Sequence, residues 1–208
     1  MISRIINKII CAIIKLRYKN VFSFTKLIAR NIVVRNYGNN NIVQLAEHCS
    51  IKRCNFLFQG NNNTIKIGDR VKLNGVTFWI EDDNNTITIG RNCTFEDGTQ
   101  LAACEGKSID IGDDCMFSNN ISVRTTDSHS IIDSGGNRIN YALDVCIGNH
   151  VWVGLQSLIL KGGNIGDNSI VAARSVVSSS TPCEQNCILA GQPAKILRKN
   201  IGWCRERI

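Results

Sequence analysis

Three shortages in this sequence exclude broad classes of protein. No apolar run approaches the roughly 20 residues that a membrane-spanning helix needs, and the run at residues 9–14 ends at Lys15. No small-residue cleavage site follows that run, which argues against a secretory signal peptide. Proline occurs only twice, so the composition is neither collagen-like nor that of a proline-rich disordered segment.

Acidic residues are missing from the first 46 positions. Eight of the 24 basic residues fall before Glu47, whereas all 17 acidic residues lie at or after it. The net charge of +7 therefore belongs to an N-terminal segment, and the rest of the chain is close to neutral. A nucleic-acid-binding surface needs basic residues interleaved with aromatic ones on the folded body. The sequence after residue 46 has no such pattern, so we expect no nucleic acid partner.

The ten cysteines contain no C-x-x-C pair, the spacing typical of zinc sites and redox-active dithiols. We expect reduced thiols in a cytosolic protein, with no bound metal and no disulfide framework. Cys104 and Cys146 have no base beside them in the sequence, so a catalytic thiol is not favoured.

A repeat of 22 residues organises the middle of the chain, in segments that begin at Leu45, Ile67, Ile89 and Ile111 and align without gaps. Apolar residues recur six, twelve and twenty positions after each start, and a small residue lies four positions after it. The side chains expected to point inward are Ile51, Leu73, Phe95 and Phe117, then Leu57, Trp79, Leu101 and Val123, then Ile65, Ile87, Ile109 and Ile131, with Cys49, Val71, Cys93 and Cys115 in the small slot. This period predicts a prism of short strands whose coils stack.

Two further features of the repeat locate its corners and a loop. Asn-rich runs at 61–63 and 84–85 fall at one recurring position, and asparagine suits tight corners. From Ile147 the period shortens to 18 residues, and the 36 residues between Ile111 and Ile147 leave room for an inserted loop at about 125–144. Long loops on rigid scaffolds commonly carry binding and catalysis.

The hexapeptide units IGDRVK, IGRNCT, IGDDCM and IGDNSI, followed by DSH, RIN, IGNHVWVG, IGDNSIVAARSVV and AGQPAKILR, carry a family resemblance. Residues 45–198 resemble the hexapeptide-repeat acyltransferases. The branch with galactoside, maltose and xenobiotic acetyltransferases, and with O-acetyltransferases of capsular and lipopolysaccharide clusters, is the most similar. The resemblance implies an all-β fold, a single-stranded left-handed parallel β-helix, that forms homotrimers with active sites between adjacent subunits.

The domain boundaries expected from these patterns are three. Residues 1–36 form a basic amphipathic helical segment, residues 37–189 form the β-helix, and residues 190–208 form a short tail with a helix. Ile5, Ile9 and Ile13 fall on one face of the N-terminal helix, with basic residues beside it. That helix packs against the β-helix or a trimer neighbour, or it contacts an anionic membrane, and we favour peripheral membrane contact at the inner face.

Acyl transfer from a thioester to an alcohol needs a base for the hydroxyl proton, and neutral histidine suits that role. His48 and His150 fall at variable positions and are interpreted as surface residues. His129 falls at the corner register of Asn63, Asn85 and Lys107, and its DSH context matches the family's catalytic histidine. By the same resemblance Glu96 and Asp127 are candidate partners, although an exposed corner carboxylate and a turn cap are equally good explanations of them.

The resemblance also predicts residues that hold acetyl-coenzyme A, the expected co-substrate. Trp152 lines the site, Leu155 and Ala173 approach the pantetheine arm, and Lys195 and Arg198 lie near the nucleotide phosphates. A buried Trp152 and a solvated basic tail are the simpler alternatives. The sequence departs from relatives at residues 178–180 and at Arg174, which puts the coenzyme contacts in question.

The expected function is O-acetylation of a sugar hydroxyl, on a glycan or sugar-lipid acceptor in capsule, exopolysaccharide or lipopolysaccharide synthesis, by direct transfer with His129 as base. N-acylation of an amino sugar is the second enzymatic possibility. A non-catalytic trimeric scaffold is the alternative from another class. A γ-class carbonic anhydrase is less favoured, because three metal-binding histidines at matching corners are missing.

Overall fold

The computed structural model describes residues 2–18 and 20–208 of the chain. In that part the chain forms one helix, α1 (Ile2–Arg17), and short strands. The first strands are β1 (Phe22–Phe24), β2 (Leu27–Arg30), β3 (Val33–Asn36), β4 (Ile42–Leu45), β5 (Cys49–Lys52), β6 (Asn55–Gln59), β7 (Thr64–Ile67), β8 (Lys72–Asn74), β9 (Thr77–Glu81), β10 (Thr86–Ile89), β11 (Thr94–Phe95) and β12 (Gln100–Ala103). They continue as β13 (Ser108–Ile111), β14 (Met116–Phe117), β15 (Ser122–Arg124), β16 (Val145–Ile147), β17 (Trp152–Val153), β18 (Leu158–Ile159), β19 (Asn164–Ile165), β20 (Ile170–Val171), β21 (Val176–Val177), β22 (Cys187–Gly191) and β23 (Ala194–Lys199).

The strands form three sheets that the chain visits in turn. Sheet one has the order β1-β4-β7-β10-β13-β16-β19, and sheet two has the order β2-β5-β8-β11-β14-β17-β20-β22-β23. Sheet three has the order β3-β6-β9-β12-β15-β18-β21. Neighbouring strands are parallel except β22 and β23, so each coil adds one strand to each sheet. The predicted prism of stacked coils is confirmed.

The small inward slot of the repeat is filled as predicted. Cys49, Val71, Cys93 and Cys115 are fully buried. The Cys49 thiol donates to the carbonyl of Gly68 at 3.2 Å, and the Cys93 thiol donates to that of Gly112 at 3.1 Å. A thiol at this position therefore acts as a compact apolar group and also satisfies a corner carbonyl of the next coil.

The inward row of sheet three differs from the gap-free alignment. Leu57 pairs with Trp79, but Trp79 pairs with Ala102 rather than Leu101, because the chain between β11 and β12 holds one extra residue. Leu57 and Trp79 consequently point outward and are only half-buried. The fully buried side chains of these two coils are Phe56, Phe58, Phe78 and Ile80, with the rings of Phe56 and Phe78 stacked 4.7 Å apart.

The asparagine corners form a ladder between sheets three and one. The side-chain oxygen of Asn41 accepts from the backbone N–H of Asn63 at 2.9 Å, and that of Asn63 accepts from Asn85 at 2.7 Å. Asn85 in turn accepts from the N–H of Lys107. Where the chain turns, no neighbouring strand can accept from these backbone N–H groups. The asparagine oxygens accept from them instead, which confirms the predicted corners.

The N-terminal segment is helical only as far as Arg17, not to residue 36 as predicted. Strands β1, β2 and β3 already form the first coil, because their alternating apolar residues, such as Phe22 and Phe24, pack into the prism. Helix α1 lies along β2, where Asn7 accepts from the N–H of Ala29 at 3.0 Å and donates to the carbonyl of Leu27 at 2.9 Å. The helix thus covers the edge strand of sheet two.

The C-terminal tail contains no helix in the described part of the chain, which corrects the prediction. Strands β22 and β23 form an antiparallel pair, and residues 200–208 fold back over sheet two. The Trp203 ring stacks on His150 with centroids 4.1 Å apart, and Arg205 binds Asp114 at 2.9 Å. His150, expected at the surface, is half-buried and lies 2.7 Å from the Asp114 carboxylate.

The register of sheet three predicts opposite effects for two adjacent aromatic residues. Phe78→Ala should lower the free energy of unfolding by about 3–5 kcal/mol, because it removes a fully buried ring. Trp79→Ala should cost only about 1 kcal/mol, because the indole lies on the outer face. Urea unfolding at one fixed protein concentration checks both variants; the reverse order of losses would support the gap-free alignment instead.

Candidate active site

An inserted loop of residues 125–144 leaves sheet three after β15 and returns to sheet one at β16. The N–H of Leu143 donates to the carbonyl of Thr125 at 2.9 Å and closes the base of the loop. Val145, rather than the predicted Ile131, takes the inward position next to Ile109, and Ile131 is 55% exposed. His129 likewise projects from the loop; the corner register expected for it belongs to Leu143.

Buried Asn140 holds the two halves of the loop together. Its amide donates to the carbonyl of His129 at 2.8 Å and to the Asp127 carboxylate at 2.9 Å, and its oxygen accepts from the N–H of Ile131 at 2.7 Å. The ammonium group of Lys161 bridges the Asp127 carboxylate and the carbonyl of Asn140. The hydrogen bond from Lys161 holds the pKa of Asp127 below its ordinary value.

A second ion pair fastens the loop to the preceding coil. The Arg138 guanidinium lies 2.8 Å from the Glu105 carboxylate, which also accepts from the hydroxyl of Thr126. The Arg138 hydrogen bond holds the pKa of Glu105 below its ordinary value. The loop backbone around His129 is therefore fixed at both sides although the imidazole itself is exposed.

The His129 side chain stands at one end of a cleft of about 340 Å³. The remaining lining residues are Trp79, Glu81, Gln100, Ala102, Cys104, Arg124, Thr126 and Ser128. Within residues 2–18 and 20–208 the imidazole ring makes no hydrogen bond to another side chain. The ring therefore borders the cleft without being held by another described side chain.

The floor of the cleft is the outer face of sheet three. Trp79, Ala102 and Arg124 lie side by side on β9, β12 and β15. Glu81 and Cys104 form the next row towards His129, with the thiol 3.9 Å from the Glu81 carboxylate. Aromatic, acidic, basic and small side chains thus meet in one concave surface beside an imidazole, as ligand sites commonly combine them.

The Cys104 thiol in this floor is not poised as a nucleophile. It is buried, and burial raises its pKa to about 11. A cysteine reacts as its thiolate, so a pKa that high keeps Cys104 protonated at neutral pH.

Among the described residues, neither of the two carboxylates predicted as partners of His129 contacts its imidazole. Asp127 is on the loop but its described hydrogen bonds go to Lys161 and Asn140. Glu96 lies at the corner between sheets two and three, exposed and 3.5 Å from the Asn74 amide. That corner is at the other end of the sheet-three strands from His129.

The predicted coenzyme residues fall into two groups. Leu155 and Ala173 lie in consecutive coils at the corner between sheets two and three, and both are exposed. Trp152 and Arg198 lie in one outward row of sheet two, through the pairings of β17, β20, β22 and β23. Lys195 is exposed on β23 opposite Ala190.

The corner that carries Leu155 and Ala173 is tightly wound. A Cβ atom on Gly154 would lie 2.6 Å from the backbone nitrogen of Ala173, so only glycine permits this approach of the two coils. The Arg174 N–H donates to the carbonyl of Leu155 at 2.8 Å. Exposed small and apolar side chains therefore line a close-packed edge of the prism, beside the basic strand β23.

Comparisons with known proteins place this geometry in a family. No family model matches the chain. The solved structure of the polysialic-acid-specific acetyltransferase NeuO superposes with a TM-score of 0.82 at 30% identity, covering 90% of this chain and 79% of that one. The polysialic acid O-acetyltransferase OatWY gives 0.75 at 32% identity, covering 90% and 93%. The chain belongs to the hexapeptide-repeat acyltransferase family. The repeat alone does not specify the handedness of the coil. The left-handed coil follows from membership of this family.

Other members of the family match shorter stretches. A curated relative, the polysialic acid O-acetyltransferase of Escherichia coli O1:K1, is 36% identical over 86 residues, which are 41% of this chain and 27% of that protein. A hexapeptide-repeat acetyltransferase of Vibrio cholerae, solved with acetyl-coenzyme A, is 26% identical with a TM-score of 0.52, covering 64% of this chain and 69% of that one. The match thus spans little more than a quarter of that curated relative.

The described residues contain neither a membrane-spanning helix nor a cluster of metal-ligating side chains. Across residues 2–18 and 20–208, no helix has both the length and the apolar character to span a bilayer. In the same part of the chain, no cluster of three or more histidine, cysteine or acidic side chains is arranged to hold a metal ion.

Several residues of the cleft, and of the contacts that hold the loop, were not predicted from the sequence. Trp79 was assigned to the core by the gap-free alignment, although the alternation of Phe78 and Ile80 around it signals an outward position. Arg124 belongs to none of the motifs described in the sequence analysis. Asn140 and Lys161 are 21 residues apart, and only the folded loop brings them together.

The loop contacts predict the effect of Asp127→Asn. The side chains of Asp127 and Lys161 are 41% and 20% exposed, so losing their ion pair should change global stability by no more than about 1 kcal/mol. Amide exchange in residues 127–141 should nonetheless rise about fivefold or more. Because the pKa of Asp127 is lowered in the fold, the wild-type loop should stay protected at neutral pH and lose protection only below about pH 3.9.

Hydrogen exchange followed by mass spectrometry makes this measurement. Glu184→Gln, which breaks the exposed pair with Lys199, is the control and should leave exchange in the loop unchanged. Equal exchange in wild type and Asp127→Asn would mean that the ion pair between Asp127 and Lys161 does not hold the loop.

Proposed function

We propose that the protein transfers an acetyl group from acetyl-coenzyme A to a hydroxyl group of a glycan. Family membership supports acyl transfer, and the polysialic acid O-acetyltransferases among the relatives support a sugar hydroxyl as acceptor. The acetyl-coenzyme A complex of the Vibrio cholerae relative supports the donor. The observation that carries the proposal is the exposed imidazole of His129 at the end of a polar cleft, on a loop fixed by Asn140.

The proposed reaction is a direct transfer. The acceptor oxygen attacks the thioester carbonyl carbon while His129 takes the hydroxyl proton, and a tetrahedral intermediate forms. The carbon–sulfur bond then breaks, and the departing thiolate takes the proton from the imidazolium. No acyl-enzyme is needed, in keeping with the protonated thiol of Cys104.

The edges of the prism support a site shared between protomers. Leu155 and Ala173 lie at the corner between sheets two and three, whereas His129 lies beyond the corner between sheets three and one. The strands of sheet three separate these edges by about 17 Å, at 3.3 Å per residue from Thr99 to Cys104. We call the corner with Leu155 and Ala173 the donor edge, and we infer a homotrimer in which one subunit's donor edge faces its neighbour's His129.

The same arrangement gives the remaining predicted residues their proposed roles. Glu96 lies at the donor-edge corner, so in the assembly it would approach the neighbouring His129 and orient the imidazole. Asp127 acts as a positioning residue through Lys161 and Asn140. Trp152 would form a wall of the donor site, with Lys195 and Arg198 towards the coenzyme phosphates, since cations suit those groups.

Substitution of His129 tests the proposal. His129→Asn should lower kcat for acetyl transfer by about 10²–10⁴-fold, because the base is lost while the loop backbone contacts remain. A thiol-release assay with acetyl-coenzyme A and a panel of glycans measures the rate, and mass spectrometry of the product distinguishes ester from amide.

The control for this test is His48→Asn, which alters an exposed histidine outside the cleft. It should leave the rate unchanged. Amide product with amino sugars would assign N-acylation instead. If folded wild type transferred no acetyl group to any hydroxyl or amino acceptor, the proposal would be refuted. A non-catalytic trimeric scaffold would then be the remaining function.

We also propose that α1 lies on an anionic membrane surface. Its inner face packs on the prism through Ile10, Cys11 and Ile14, while Ile5, Ile9 and Ile13 form an outer apolar stripe, each about half exposed. Basic side chains flank the stripe, and the first 46 residues carry no acidic residue. An apolar stripe with positive flanks suits a negatively charged lipid surface better than a neutral one.

Vesicle sedimentation tests this placement. Wild type should bind vesicles of phosphatidylglycerol and not of phosphatidylcholine alone, and Ile5→Ser/Ile9→Ser/Ile13→Ser should lose that binding. Leu197→Ser, at an exposed apolar residue on β23, is the matched control and should bind as wild type does. Equal sedimentation of wild type and the triple variant would refute membrane contact through α1.

A further inference from the structure

Arg124 is a cation without a carboxylate partner in the described part of the chain. Its side chain is half-buried on the outer face of β15, in the floor of the cleft. Among described residues its guanidinium has one side-chain hydrogen bond, a long contact of 3.4 Å to the Gln100 oxygen. No acidic oxygen in those residues lies within 4.0 Å of it.

The neighbouring cations are paired, which makes Arg124 the exception. Arg138 lies 2.8 Å from Glu105, and Lys161 binds Asp127. Both pairs fasten the loop and have no charge left to offer a ligand. A partly desolvated guanidinium with only one neutral partner retains most of its capacity for charge-assisted hydrogen bonds.

A notch next to this guanidinium has room for one sugar ring. Trp79, Ala102 and Arg124 stand on adjacent strands, so two inter-strand spacings, about 10 Å, separate the backbone positions from which the indole and the guanidinium extend. The methyl side chain of Ala102 leaves the space between them open. An indole offers a flat apolar face to the C–H side of a pyranose, and a guanidinium binds a carboxylate through two parallel hydrogen bonds.

We propose that this notch is the acceptor subsite and that it takes a sugar bearing a carboxylate group. Trp79 packs against the ring, Arg124 binds the carboxylate, and Glu81 accepts hydrogen bonds from ring hydroxyls on the side towards His129. The inference rests on the proposed acetyl transfer and names the acceptor class for it. Negative charge on Glu81 directs the acceptor carboxylate to the Arg124 side of the notch.

The test compares a carboxylated acceptor with its uncharged ester. The probes are the methyl α-glycoside of N-acetylneuraminic acid and its methyl ester, and the variants are Arg124→Gln, Arg124→Lys and Arg35→Gln. Arg124→Gln should raise KM for the acid about 10- to 100-fold, with the KM of the ester and of acetyl-coenzyme A changed less than about twofold. Arg124→Lys should fall between, because an ammonium cannot form the two parallel bonds.

Arg35→Gln is the matched control. Arg35 lies in the same outward row as Trp79 and Arg124, through the pairings of β3, β6, β9, β12 and β15, but outside the cleft. With monosaccharide acceptors it should leave KM unchanged. Saturation-transfer NMR gives a readout without turnover: wild type should bind the acid more tightly than the ester, and Arg124→Gln should bind both alike.

The outcomes separate this inference from the proposed function. Acetyl transfer by wild type with equal KM for acid and ester, or equal losses on both with Arg124→Gln, would overturn the carboxylate subsite and leave acetyl transfer standing. A change of sedimentation coefficient in Arg124→Gln would also overturn it, by assigning the guanidinium to a subunit contact. Absence of transfer to any glycan by folded wild type would instead refute the proposed function.

Discussion

The structure depends on the stacking of equivalent side chains from one coil onto the next. No single coil of this prism encloses a core, because its few inward residues gain apolar contact only from the coils above and below. The cysteine slot and the stacked Phe56 and Phe78 rings are rows of this kind. A residue added between two strands is absorbed in an outward corner while the rows continue, which is how β12 shifts by one residue without losing the core.

Stacking also determines where chemistry is possible. Rows of inward residues are closed to substrates, so the functional groups lie on outward faces, at corners and on the one long insertion. A prism keeps its edges apart, and in this family member the edge with Leu155 and the loop with His129 belong to opposite ends of the sheet-three strands. The homotrimer that we propose would bring such edges together, so that its quaternary structure would form part of the active site.

The repeat predicted the prism, the cysteine slot, the Asn corners and the position of the long loop, because each of these follows from local spacing. It misplaced Trp79 and Leu57, since a gap-free alignment cannot detect one extra residue hidden in a corner. The contacts of Asn140 and Lys161 that hold the loop were also not predicted, and the predicted N-terminal helix extended over residues that form the first coil. Those features depend on contacts between distant residues, and the alternation of Phe22 with Phe24 is too short a signal to mark a new coil.

The contacts of Asn7 have a consequence for how the molecule behaves in a crowded solution. A solenoid ends in an unpaired strand at each end, and such strands can accept a further copy and grow into filaments. Here the amide of Asn7 occupies the donor of Ala29 and the acceptor of Leu27, and at the far end β23 reverses direction and breaks the parallel register. Both edges of sheet two are thereby protected from the parallel addition of a further copy.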